Sequence, residues 1–240
     1  MTILILGASG MVGGATARGL AAMGAGPVRC LVRDPRRAGG LAGLGVQVAV
    51  GDLDDPSGLA EAVAGVERVL LLAPLGPELE RREGAAIDAA ARAGVRHVVK
   101  VSTIGVAERG AGAEPRPYPA HRASERRLER SGMAWTHLRP GPFFQNLLAQ
   151  APAVRADGVL TAAYRDAPPE AVEAALTARG APAWLVGALG EVMARVRAGM
   201  PAPLGDGVER VCGRRPRAVE EFARDHAEAF GAPVADASGR

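Results

Sequence analysis

Three glycines carry the first chemical signal in this chain. Gly7, Gly10 and Gly13 stand in G-x-x-G-x-x-G spacing inside "LGASGMVGGATARG". A glycine turn between a strand and a helix can hold the pyrophosphate of a dinucleotide. Gly7 permits the tight turn, Gly10 lets the backbone approach the phosphates, and Gly13 lets the helix pack close to the strand. The helix N-terminus adds free N–H groups and a partial positive charge. The competing reading is that the glycines serve only a tight turn. A second signal follows in "LVRDPRR", where Arg33 and Arg37 come after the next strand. An acidic residue there suits the ribose 2′-hydroxyl of NAD, whereas guanidinium groups suit the 2′-phosphate of NADP. NADP(H) is therefore favoured, and Asp34 keeps NAD(H) as the alternative. Asp52, in "GDLDDP", is placed to reach an adenine ring, with a turn or N-cap aspartate as its competing role.

These residues need a frame, and the apolar patterning supplies one. Short apolar runs predict strands at Thr2–Leu6, Pro27–Val32, Val46–Val50, Arg68–Ala73, Arg96–Thr103 and Ala134–Pro140. Helical stretches alternate with them at Val12–Met23, Pro56–Ala64, Glu78–Ala93 and Ala120–Ser131. Asp55 is the expected N-cap of the second helix, with Pro56 at its first position. Alternation of this kind predicts an α/β fold: a Rossmann-like, doubly wound, mostly parallel sheet with its ligand edge at the carboxyl ends of the strands. The dinucleotide domain is expected over residues 1–150 and a small helical substrate or cap region over 151–240. No strand is expected after Pro140. Three helices are, in "PEAVEAALTARG", "PAWLVGALGEVMARVRAG" and "PRAVEEFARDHAEAFG". Trp184, Ala188, Val192 and Val196 form a packing stripe on the second; Val219, Phe222, His226 and Phe230 form one on the third.

Composition narrows the function class. The 240 residues are 48% hydrophobic, enough for a packed core, but only 3% aromatic. Lys100 is the single lysine, and is expected within the fifth strand, snorkelling to an edge. The net charge of +3 is spread among carboxylates, without aromatic interleaving, which argues against nucleic-acid binding. Cys30 and Cys212 make neither a metal spacing nor a disulfide framework. His97, His121, His137 and His226 have no ligand spacing with Cys or Asp, so no metal is expected. No apolar run is long enough to span a bilayer. A soluble cytoplasmic chain is the expectation.

Several stretches together resemble the NmrA-like group of atypical short-chain dehydrogenases: "GASGMVGG", "LVRDP", "GDLDDP", "GVRHVVKVS", "HRASERRLERSGMAWTHLRPGPFFQNLL" and "EEFARDHAEAF". The resemblance implies a Rossmann fold carrying NAD(P). It places Gly7 to Gly13 on the pyrophosphate, including Ser9, Met11 and Val12. Arg33 and Arg37 fall on the 2′-phosphate, and Asp52 and Leu53 beside the adenine. Ala73, Pro74 and Leu75 follow the fourth strand beside the ribose. Ser102 and Thr103 end the fifth strand, and His121 matches a polar position near the nicotinamide. Gly141, Pro142, Phe143 and Phe144 would line the nicotinamide and substrate pocket, with Asn146 beyond.

Members of that group include quinone reductases and also regulators that bind the dinucleotide without turnover. The leading expectation is an NADPH-dependent reductase of a quinone or related carbonyl acceptor. The alternative is an NADP(H)-sensing protein that reports to a protein partner. Catalytic candidates are His121, Ser102 and Tyr118. "YPAHR" gives Tyr118 and Arg122, a near-miss of the Tyr-x-x-x-Lys pair, and arginine cannot relay a proton near neutral pH. A loop tyrosine is the competing reading. His121 needs no such partner to hydrogen-bond a ribose or an acceptor oxygen. The chain departs from the group near Thr161–Ala163, where a strand and a helix are expected to be missing. Loss of an edge strand exposes apolar surface and invites a homodimer.

Overall fold

The computed structural model describes residues 1–106, 114–157, 169–198 and 205–231. Its strands are β1 (Ile3–Ile5), β2 (Val28–Val32), β3 (Gln47–Val50), β4 (Arg68–Leu71), β5 (His97–Val101) and β6 (Ala134–Leu138). They form one sheet in the order β3-β2-β1-β4-β5-β6, and every pairing is parallel. Ile3 is in register with both Val28 and Arg68, so the strands end on a common edge. The order reverses between β1 and β4, the point where a doubly wound sheet opens a crevice.

Side-chain alternation splits the core into two layers. Leu4 and Leu6 face one side with Leu59, Val63, Ile87, Val98 and Leu128. Ile5 faces the other with Ala8, Ala17, Cys30, Val32 and Leu41. The first layer is roofed by α3 (Pro56–Val63), α4 (Leu79–Arg92) and α5 (Pro117–Glu129); the second by α1 (Met11–Ala22) and the short α2 (Gly39–Ala42). With few aromatics, small and branched residues achieve this packing. Burial pushes the Cys30 thiol up to about 11, so it is an inert core group.

Local rules set the helix starts. Asp55 caps α3, accepting a bond from the Ser57 amide at 3.0 Å, with Pro56 in the first turn as expected. α5 begins at Pro117, three residues before the expected Ala120, because proline is at home in a first turn. Tyr118 is therefore helical and buried rather than in a loop.

The remaining described elements are all helical: α6 (Ala151–Asp157), α7 (Pro169–Ala178), α8 (Ala183–Arg197), α9 (Gly207–Cys212), α10 (Val219–Asp225) and single 3₁₀ turns. The third expected helix is broken at His226. Its ring stacks on Phe222 at 4.2 Å, and its Nδ1 lies 2.9 Å from the Phe222 carbonyl oxygen, which also accepts the His226 amide at 3.2 Å; a 3₁₀ turn at Ala227–Phe230 follows. The Thr161–Ala163 junction lies outside the described residues. β6 is an outer strand of the sheet, and Trp135 and Leu138 on it are nearly half exposed. Among the described residues no helix is long and apolar enough to cross a membrane.

Candidate dinucleotide site

A cleft of about 430 Å³ opens at the carboxyl edge of the strands, where the sheet order reverses. The glycine turn forms its floor. Gly7 has φ +71°, a conformation open chiefly to glycine. A Cβ on Gly13 would lie 2.9 Å from Ala8 Cα and overlap the Gly7 carbonyl, so only glycine lets α1 sit this close to the turn. Gly10 is the N-cap of α1; no side chain caps the helix and its first turn holds no acidic residue. The first-turn N–H groups are left for an anion. These features fit a pyrophosphate.

Gly7, Ser9, Gly10, Met11, Val12, Gly13, Arg33, Asp52, Leu53, Ala73 and Pro74 all line the cleft. Asp52 also turns its own loop, accepting from the Asp54 amide at 3.0 Å. Among the described residues no carboxylate pairs with Arg33, while Asp34 is occupied by Arg36, whose Nε and Nη2 lie 3.0 and 2.9 Å from it. The Arg37 side chain lies outside the described residues. Leu31, Gly51, Leu72 and Arg82 complete the lining and were not expected from sequence. The first three are apolar strand-end positions with no motif. Arg82 sits on α4, and nothing in "ELERREG" marks one arginine over its neighbour.

The other expected site residues do not line this cleft. Leu75 is exposed. Ser102, Thr103, His121, Gly141, Pro142, Phe143 and Phe144 lie beyond its lining. Phe144 packs against Phe222 at 5.7 Å, joining the 3₁₀ turn at Phe144–Gln150 to α10. Tyr118 is buried beneath Gly105, where an added Cβ would meet its hydroxyl at 2.9 Å, and Arg195 lies 5.7 Å from its ring centroid.

His121 belongs to a buried polar network that sequence reasoning missed; Ser102, just after β5, is also buried, its Oγ without a hydrogen-bond partner among the described residues. Lys100 does not snorkel to an edge: it is fully buried, because β5 has neighbours on both sides and α4 and α5 cover its face. Its Nζ lies 3.0 Å from Glu83 Oε2 on α4 and 3.0 Å from His121 Nδ1 on α5. Burial pushes the Glu83 carboxyl up and the Lys100 ammonium down, each opposed by the other's charge. Burial, with Lys100 adding to it, lowers His121 to about 3. His121 is thus neutral at pH 7, with Nδ1 accepting from Lys100 and Nε2 carrying the proton. The signal lay in the single lysine, a compact ammonium in a chain that uses arginine for every other fixed cation.

A second pair tightens the same region. Arg139, just after β6, grips Glu125 of α5 through Nε at 3.0 Å and Nη2 at 2.7 Å. Burial raises the Glu125 carboxyl, but Arg139 together with the other neighbouring groups outweighs it and leaves it below the usual range. Ligand atoms of Glu125, Glu129 and His137 lie within 4.8 Å of one another. The guanidinium already holds both Glu125 oxygens, and His137 Nε2 is 3.1 Å from Glu129, so these ligand atoms are already engaged by one another and by Arg139.

A parallel sheet with a glycine turn at its switch point and a cleft across it defines a dinucleotide-binding α/β protein. The family model described as NAD(P)H-binding matches residues 7–176. The chain belongs to that family. It is 31% identical to an NAD(P)H azoreductase of Xenophilus azovorans, over 96% of this chain and 99% of that protein. That alignment is 291 positions long, 51 more than this chain has residues, so the chain is shorter within the matched span. It is 32% identical to quinone oxidoreductase 2 of Escherichia coli, over 68% of this chain but only 57% of that protein. The crystal structure of an NADPH-dependent quinone oxidoreductase of Escherichia coli, complexed with NADPH, superposes with a TM-score of 0.75 at 22% identity, covering 94% of this chain and 99% of that one. It shares the fold.

Proposed function

We propose that this protein is an NADPH-preferring oxidoreductase of the NmrA-like kind, acting on a quinone or related conjugated acceptor. The observation that carries the cofactor choice is Arg33. It lines the cleft at the end of β2 without a carboxylate partner among the described residues, while the neighbouring Asp34 is engaged by Arg36. A partnerless guanidinium suits a 2′-phosphate, and a carboxylate held by a cation is a poor ribose acceptor. The azoreductase and the quinone oxidoreductase among its relatives support the acceptor class.

In this reading the first turn of α1 holds the pyrophosphate, Arg33 the 2′-phosphate, and Asp52 and Leu53 flank the adenine. The bound dinucleotide supplies the reducing equivalent. The chain's own residues bind, orient and exclude water. His121, neutral and held by Lys100, keeps its Nε2 proton as a hydrogen-bond donor, and this reading assigns that donor, with Ser102 just after β5, to the nicotinamide end. The test is loss of NADPH absorbance with a panel of quinones and azo dyes. Turnover with NADPH exceeding that with NADH supports the proposal. Dinucleotide binding without turnover of any acceptor would favour the sensing alternative.

A further inference from the structure

We propose that Arg82 forms the adenine wall of the cleft and that Asp54 positions it. This rests on the dinucleotide reading above and deepens it. Arg82 stands near the start of α4, remote from the glycine turn in sequence, yet it lines the cleft with Asp52, Leu53 and Arg33. Its Nε lies 2.9 and 3.1 Å from the two Asp54 oxygens, and its Nη2 lies 2.6 Å from Oδ2. One edge of the guanidinium is thus clamped by a fork, which fixes the plane of the group. Asp54 belongs to the same loop as Asp52 and Leu53, and its amide donates to Asp52 Oδ1 at 3.0 Å. The arginine is therefore tied to the loop that would bound the base.

A surface ion pair needs no such burial: the Arg82 side chain is only 21% exposed. Arg81 shares the same carboxylate and also pairs with Glu78 at 2.6 Å, so two guanidinium groups and two carboxylates balance here and Arg82 is held by geometry rather than by a local excess of positive charge. A planar, weakly hydrated cation with a fixed plane is suited to lie against a heteroaromatic ring. The two arginines then divide the work. Arg33 reads the 2′-phosphate, and Arg82 holds the adenine whatever the ribose carries.

The test is calorimetric titration of the full chain with NADPH, NADH and ADP, using wild type, Arg82→Gln and Arg82→Lys, with thermal melting as the fold control. Arg82→Gln is expected to weaken all three ligands by roughly tenfold and leave the NADPH-to-NADH ratio unchanged. Arg82→Lys keeps a charge for Asp54 but lacks the plane, and is expected to lose most of the same affinity. Unchanged affinity in both folded variants overturns the proposal. A loss confined to NADPH overturns it too, making Arg82 a phosphate reader. If wild type binds none of the three, the dinucleotide reading itself fails and this inference with it; wild-type binding beside unaffected variants refutes the inference alone.

Discussion

His121→Gln separates a buried neutral histidine from an ordinary one. In the fold His121 accepts from Lys100 at 3.0 Å and its proton affinity is lowered to about 3, by burial first and by Lys100 second, against the attraction of Glu125. In the unfolded chain it titrates near 6.5. The folded pKa is depressed, so the unfolded state binds more protons between those values. Stability is fully present above pH 6.5 and is lost as pH falls toward 3. Between pH 7 and pH 5 the window covers about 1.5 pH units, so this one group costs about 2 kcal/mol. Glutamine keeps an acceptor for Lys100 and cannot titrate. Glu83, whose carboxyl is raised, acts in the opposite direction but is common to both proteins. Urea unfolding at both pH values should show wild type losing about 2 kcal/mol more than His121→Gln on acidification. Equal losses would refute the neutral, Lys100-bound histidine.

Other consequences follow from the same geometry. Gly13→Ala puts a methyl group into the Gly7 carbonyl and against Ala8; a destabilisation on the order of 3 kcal/mol is expected, read as a lowered urea midpoint together with weakened dinucleotide binding. Lys100→Met leaves Glu83 buried without its cation, with an expected loss of about 3–5 kcal/mol at pH 7, whereas Lys100→Met with Glu83→Leu should recover much of it; a double variant no better than the single one would contradict the buried pair. Arg139→Gln frees the Glu125 carboxylate inside the fold, so the variant should lose stability at pH 7 and regain part of it as pH falls and Glu125 protonates; a pH-independent deficit would speak against the clamp.

The parts of this molecule that repeat a local rule were readable in the sequence. Strand and helix alternated, Asp55–Pro56 announced a helix start, and the glycines fell at the junction of β1 and α1, Gly7 and Gly10 before the helix and Gly13 in its first turn. Right-handed crossovers put the carboxyl ends of the strands on one edge, while the order β3-β2-β1-β4-β5-β6 came from the structure. What stayed hidden depends on approach between distant elements. Glu83, Lys100 and His121 come from three elements; His121 was legible as a site candidate and Lys100 as a strand residue, but nothing in the sequence joins them to each other or to Glu83. Arg82 gains its place only when α4 packs beside the β3–α3 loop. His226 falls on a helical stripe, yet α10 stops at Asp225 and a 3₁₀ turn follows at Ala227–Phe230.

The most direct test of the central claim is calorimetric titration of the purified protein with NADPH and, separately, with NADH. The account predicts saturable binding with roughly tenfold or greater preference for NADPH, and loss of binding in Gly10→Asp, whose carboxylate would occupy the pyrophosphate position. Absence of binding by either dinucleotide would contradict the account, and equal affinity for both would remove Arg33 from the 2′-phosphate.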